Sequence, residues 1–120
     1  MKLSDREWTV LDALWRLGSA ELGTLVDDLH AAIGWNRNTV LTYLTRMEAK
    51  GLVSIDKEVT PHLYRPAVER EICQAQARRS FLDRVYGGSS GDLIAAFLKE
   101  EPISPSEREQ LRQLLDDMEV

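Results

Sequence analysis

The spacing of apolar residues changes at Gly51. Before that glycine, apolar side chains recur every three or four residues, as they do in amphipathic helices. After it, residues 52–57 alternate between apolar and polar, as in a half-buried strand, and residues 63–65 form a second short strand beyond a turn. Three helices followed directly by a hairpin predict a winged helix-turn-helix.

The helix ends are marked by capping residues. Ser4 and Glu7 have the spacing of a capping box, which predicts a first helix that ends at Gly18. Residues 20–33 predict a second helix, closed by Gly34. Asn36 is a good N-cap for a third helix, which we expect to stop at Gly51.

The last fifty residues predict three more amphipathic helices. One runs from about residue 69 to residue 86, a glycine-rich joint follows at 87–91, and a short helix covers 92–100. Ser104 and Glu107 form a second capping box, with Pro105 at the first helical position of the last helix. We therefore expect a mainly α fold with a small β-hairpin: a winged-helix DNA-binding domain in residues 1–68 and a helical dimerisation domain in residues 69–120.

The three C-terminal helices are together too small to enclose their own apolar stripes. Either the N-terminal domain or a second copy of the same tail must cover them, and a tail joined through a glycine hinge favours the second copy. The sequence thus predicts a homodimer. Its candidate contact residues are Ile72, Phe81, Leu82, Val85, Leu93, Ile94, Phe97, Leu98, Leu111, Leu114, Leu115 and Met118.

The outward side of the third helix is unusual for a solvated surface. It carries Asn38, Thr42, Thr45 and Arg46 instead of a mixture of glutamate and lysine. In a helix-turn-helix this helix lies in the major groove and needs short hydrogen-bonding groups for base edges and cations for phosphates. The alternative is an ordinary surface helix that happens to contain threonines. The residues predicted to contact DNA are Asn36, Arg37, Asn38, Leu41, Thr42, Thr45 and Arg46, with Lys57 and His62 in the wing.

The net charge of −5 opposes non-specific attraction to nucleic acid, and it suits a second hypothesis, a winged helix that binds another protein. The acidity is uneven, however, because residues 35–66 hold five Lys/Arg against three Asp/Glu. Cys73 and two distant histidines offer no metal site or catalytic constellation, so we expect no enzyme, cofactor or small-molecule substrate. With neither a signal peptide nor a membrane-spanning run, we expect a cytoplasmic protein.

Several motifs occur in a recognisable order. They are Glu7-Trp8, Leu14-Trp15, Asn38-Thr39-Val40, Leu44-Thr45-Arg46-Met47, Lys50, Phe81-Leu82 and Tyr86-Gly87-Gly88. This order resembles the penicillinase repressor family (BlaI/MecI/CopY) over nearly the whole chain. The resemblance implies a homodimeric transcriptional repressor that binds a palindromic operator of the TACA/TGTA type. It adds Thr39 as a recognition-helix contact and Lys50 as a supporting cation.

The same resemblance implies a way to relieve repression. Family members that control lactam resistance are cut within the C-terminal domain, in a pathway triggered by a membrane sensor with a metallopeptidase domain. The matching place here is Ala96-Phe97. Phe97 is also expected in the dimer core, and the two roles are compatible, because a cut there would destroy the dimer.

Overall fold

The predicted N-caps Ser4 and Asn36 precede the first and third helices, and the predicted glycines follow the first two. In the computed structural model, which describes residues 2–118, the Ser4 hydroxyl accepts from the Glu7 N–H at 3.2 Å, and the Glu7 carboxylate accepts from the Ser4 N–H at 2.9 Å. Gly18 and Gly34 follow the first two helices with φ angles of 82° and 73°, which favour glycine. The helices are α1 (Asp5–Leu17), α2 (Leu22–Ile33) and α3 (Arg37–Ala49).

A three-stranded antiparallel sheet completes the winged helix. Strands β2 (Val53–Asp56) and β3 (Leu63–Pro66) form the predicted hairpin, with Ile55 opposite Tyr64. The third strand, β1 (Ala20–Glu21), pairs with the other side of β3, so the order is β1-β3-β2. The prediction of helix from residue 20 was therefore wrong by two residues, because so short a strand shows no alternation.

The core of the winged helix lies between the three helices and the sheet. Helix α3 contributes Val40, Leu44 and Met47, all fully buried. The burial of these three side chains determines which side of α3 faces outward, since the helical repeat fixes the direction of the other residues relative to them. The rest of this core consists of Val10, Leu11, Ala13, Leu14, Ala20, Leu25, Leu29, Leu52, Val53 and Tyr64.

Three helices make up the remainder of the described chain: α4 (Arg70–Tyr86), α5 (Ser90–Glu100) and α6 (Pro105–Asp117). The Ser104 capping box and the proline at the start of α6 are as predicted, and α5 begins two residues earlier than expected. The chain divides into one unit that ends at Ala77 and another that begins at Arg78, within α4. None of the helices in residues 2–118 has the length and apolar content to cross a bilayer.

A buried carboxylate joins the start of α1 to the end of α3. Glu7 is only 5% exposed, and its Oε2 atom accepts from the Lys50 Nζ at 2.8 Å. Burial alone opposes ionisation of Glu7, but the hydrogen bonds from Lys50 and Ser4 outweigh it and lower the pKa of Glu7. The pair therefore fixes the C-terminal end of α3 against α1.

Replacing Lys50 tests this link. We expect Lys50→Met to lower the free energy of unfolding by about 1–2 kcal/mol at pH 7, because the Glu7 carboxylate loses a charged partner. Since the folded-state pKa of Glu7 is depressed, the stabilisation is present above its unfolded-state pKa and disappears as the pH falls through the folded-state value. Urea denaturation from pH 7 to pH 3 should show the wild-type and variant curves converging at the acid end.

Lys57→Met is the matched control. Lys57 pairs with Glu48 at 3.5 Å, and both side chains are more exposed, so the loss should stay below about 0.5 kcal/mol. Equal losses for the two variants at every pH would contradict a specific role for the Glu7–Lys50 pair.

Candidate nucleic-acid interface

The candidate interface begins where α2 gives way to α3. The Asn36 side chain accepts from the Thr39 N–H at 2.9 Å and so caps α3, as its residue type predicts. This bond uses the Asn36 amide oxygen. The exposed Arg37 and Asn38 follow in the first turn, next to the unpaired amides and partial positive charge of the helix N-terminus.

The outward face of α3 carries the polar residues that the sequence placed there. Asn38, Thr42 and Thr45 are exposed and lie opposite the buried stripe of Val40, Leu44 and Met47. Arg46 borders this face on one edge and Leu41, which is 41% exposed, on the other. Thr39 is half-buried at the same edge as Arg46. Short donors and acceptors thus occupy the centre of the face, with a cation and an apolar side chain beside them.

Thr42 has a defined hydrogen-bonding state. Its hydroxyl donates to the Asn38 carbonyl oxygen, one turn earlier in α3, at 2.8 Å. The hydroxyl proton is therefore engaged within the helix, while the oxygen lone pairs remain free to accept. In this rotamer Thr42 can accept a hydrogen bond from a base amino group, such as adenine N6 or cytosine N4.

A cluster of aromatic and cationic side chains lies along one edge of the outward face. The Tyr43 ring stacks on Trp35 with centroids 5.0 Å apart, and the Arg46 Cζ lies 5.9 Å from the Tyr43 centroid. From α1, the Arg6 Nη1 donates to the Tyr43 hydroxyl at 2.9 Å, which raises the pKa of Arg6. Neither Tyr43 nor Arg6 was among the contact residues predicted from the sequence. Only the three-residue spacing of Tyr43 and Arg46 was visible in the sequence.

Two predicted cations already have protein partners. Lys50 donates to the buried Glu7, and Lys57 of the wing pairs with Glu48 of α3. The Lys50 pair thus holds α1 against α3, and the Lys57 pair holds the wing against α3. In both pairs the carboxylate partly neutralises the charge of the lysine.

Two further predicted contacts, Arg37 of α3 and His62 of the wing, line one shallow cleft. Arg37 and the exposed His62 meet there between the wing turn and the start of α2. The cleft brings a cation of α3 and an imidazole of the wing to the edge opposite Arg6. The other lining residues are Glu21, Leu22, Gly23, Thr60, Pro61 and Tyr64.

A second candidate surface is apolar and lies in the unit that begins at Arg78. Among residues 78–118 no side chain is buried, not even the large apolar ones. Phe97 is 57% exposed, and Leu114 and Leu115 are each 63% exposed. Of the predicted dimer contacts, Leu82 and Leu93 are half-buried. The exposed ones are Ile72, which precedes this unit, and Phe81, Val85, Ile94, Phe97, Leu98, Leu111, Leu114, Leu115 and Met118.

Sequence comparison gives one consistent result. A family profile described as Penicillinase repressor matches residues 3–117. The chain is 26% identical over 115 residues to the methicillin resistance regulatory protein MecI of Staphylococcus aureus strain N315, covering 96% of this chain and 94% of MecI. It is 27% identical over 116 residues to the penicillinase repressor of Bacillus licheniformis, covering 97% of this chain and 91% of that repressor.

Solved structures resemble the winged-helix part. The solution structure of the DNA-binding domain of the repressor BlaI matches with a TM-score of 0.53 and 26% identity, over 57% of this chain and 84% of that domain. The monomeric form of Bacillus licheniformis BlaI, in complex with the blaP half-operator, matches with a TM-score of 0.54 and 25% identity, over 59% of this chain and 87% of that one. The chain therefore belongs to the penicillinase repressor family, as the order of its motifs predicts.

Proposed function

We propose that this protein is a homodimeric transcriptional repressor that places α3 in the major groove of a palindromic operator. The proposal rests on one observation: α3 buries its apolar side in the core and exposes Asn38, Thr42 and Thr45 on the other side. A helix docked in the groove presents such short polar groups to base edges. The likeness to BlaI, whose monomeric form was solved with a half-operator, supports the same use of the fold here.

The proposed contacts follow from the chemistry of each side chain. The Asn38 amide pairs with adenine N6 and N7, and Thr42 accepts from a base amino group. Thr45 accepts from a base amino group or donates to phosphate. Leu41 meets a thymine methyl, and Arg46 meets a phosphate at the edge of the groove. Arg37 and His62 contact the other DNA strand. The hydrogen bond from Thr39 to Asn36 caps α3 and so stabilises its first turn.

Lys50 and Lys57 contribute less to DNA binding than the unpaired arginines do. Carboxylates already balance both ammonium groups, so each adds less to phosphate binding than an unpaired arginine does. Their main contribution is to hold α1 and the wing in register with α3. Their contacts with phosphate are secondary to this structural role.

The proposed dimer forms through the exposed apolar side chains of α5 and α6. Leaving Phe97, Leu114 and Leu115 in water would cost free energy that a second copy removes. Two winged helices can then bind half-sites about one helical turn apart, roughly 34–36 Å. With a net charge of −5 the protein gains little from non-specific attraction, so its affinity relies on both halves binding together.

The proposed release of repression is a cut at Ala96-Phe97, as the resemblance to lactam-responsive repressors implies. The bond lies inside α5, whereas proteases prefer exposed, irregular backbone. Cleavage therefore requires α5 to open first, and the glycines before it lower the cost of such local opening. A cut would separate α6 from the rest of the dimer surface and leave two weakly binding winged helices.

Base reading and phosphate binding predict different defects. Asn38→Ala should weaken binding to a duplex from the chain's own promoter by about 10- to 100-fold and leave a scrambled duplex unaffected. Arg46→Ala should weaken both duplexes alike and lower the log–log salt slope by about one per bound copy. Fluorescence anisotropy at several salt concentrations measures both. Arg16→Ala, which removes the same charge from an arginine paired with Asp28, is the control.

Wild-type protein that does not distinguish the promoter duplex from the scrambled one would contradict the proposal. The winged helix would then be better explained as a protein-binding module. Equal losses on both duplexes for Asn38→Ala would remove that residue from base recognition.

The dimer proposal has its own test. Leu115→Asp should raise the dimer dissociation constant by more than about a hundredfold, because each copy would bury an unpaired carboxylate. Sedimentation equilibrium measures this directly. Gln113→Glu adds the same charge on the other side of α6 and should leave the dimer intact. A Leu115→Asp protein that still sediments as a dimer would show that α6 lies outside the interface.

A further inference from the structure

Arg6 is held beside the outward face of α3 by residues far from it in sequence. Its Nη1 donates to the Tyr43 hydroxyl at 2.9 Å, and its Cζ lies 5.9 Å from the ring centroid. The Tyr43 ring is itself fixed by stacking on Trp35 at 5.0 Å. An exposed arginine usually samples many rotamers, whereas this one has two contacts with one ordered ring. Its charge is therefore directed to one place on the surface.

That place already holds a second cation. The Arg46 Cζ also lies 5.9 Å from the Tyr43 centroid, so two guanidinium groups share one aromatic ring. Within residues 2–118 neither arginine forms an ion pair, whereas Arg16, Lys50 and Lys57 each do. Two acidic residues flank Arg6 in α1: Glu7, which Lys50 and Ser4 already engage, and Asp5, which forms no ion pair with it. Two like charges that no carboxylate pairs with make a favourable position for an external anion.

The position of this pair matches one border of the proposed groove. Tyr43 and Arg46 lie on the edge of α3 nearest the start of α1, and Glu48, which pairs with Lys57 of the wing, lies on the opposite edge. A major groove about 12 Å wide is bordered by a phosphate strand on each side. If α3 occupies the groove, the wing faces one strand and Arg6 faces the other.

We propose that Arg6 binds a phosphate of the DNA backbone and that Tyr43 is its positioning residue. This inference rests on the proposed function, because it requires α3 to enter the groove. It adds an α1 contact that the recognition helix and wing do not supply. Together with Arg46 it gives each bound copy a paired cationic contact on one strand.

Salt titration of the full-length protein tests the phosphate contact. We expect Arg6→Ala to bind promoter and scrambled duplexes about tenfold more weakly, with a log–log salt slope lower by about 0.9 per bound copy. Arg16→Ala removes the same charge from the last turn of α1 and should keep the wild-type slope. A wild-type slope for Arg6→Ala, or an equal drop for both variants, would overturn the assignment of Arg6.

A second variant tests positioning separately from charge. Tyr43→Phe keeps the ring on Trp35 and both arginines, and removes only the hydroxyl that accepts from Arg6. We expect affinity to fall several-fold with the slope nearly unchanged, because the number of cations is the same. Affinity equal to wild type would overturn the positioning role of Tyr43. Wild-type protein that binds neither duplex would overturn the proposed function itself, an outcome distinct from a normal wild type with a silent Arg6→Ala.

Discussion

The burial of one side of α3 is the constraint on which the rest of this structure depends. Val40, Leu44 and Met47 are fully excluded from solvent by the other two helices and the sheet. An α-helix that buries this stripe must present Asn38 and Thr42 on its other side, because the helical repeat fixes their relative direction. The outward chemistry of α3 is thus a consequence of core packing. Any partner of this face meets short polar groups on a rigid helix.

The neighbours of α3 divide its surroundings into paired and unpaired charge. On one side Lys50 forms an ion pair with the buried Glu7, and on the other Lys57 forms one with Glu48. The main role of both lysines is therefore to join α1 and the wing to α3. Arg6 and Arg46 instead share the ring of Tyr43. This arrangement accounts for a cationic border on a protein whose net charge is −5, since the acidic excess lies elsewhere in the chain.

Local signals in the sequence predicted most of the fold. Capping boxes, glycines and apolar periodicity identified the six helices and the hairpin of residues 2–118, because these features act within a few residues of the backbone they shape. The strand at Ala20–Glu21 was missed because two residues carry no period, and its pairing with β3 is a long-range contact. For the same reason the Arg6–Tyr43 hydrogen bond, which spans 37 positions, had no sequence signal. The outward face of α3 was predictable because it is the complement of the apolar stripe.

The outward face of α3 is proposed to lie in the major groove. Intermolecular NOEs between isotope-labelled protein and an unlabelled promoter duplex measure this directly. We expect NOEs from the γ-methyl protons of Thr42 and Thr45 to major-groove base protons, such as thymine methyl or cytosine H5. NOEs from those methyl groups only to protons of the protein's own chains, in a complex that is otherwise saturated with DNA, would contradict it.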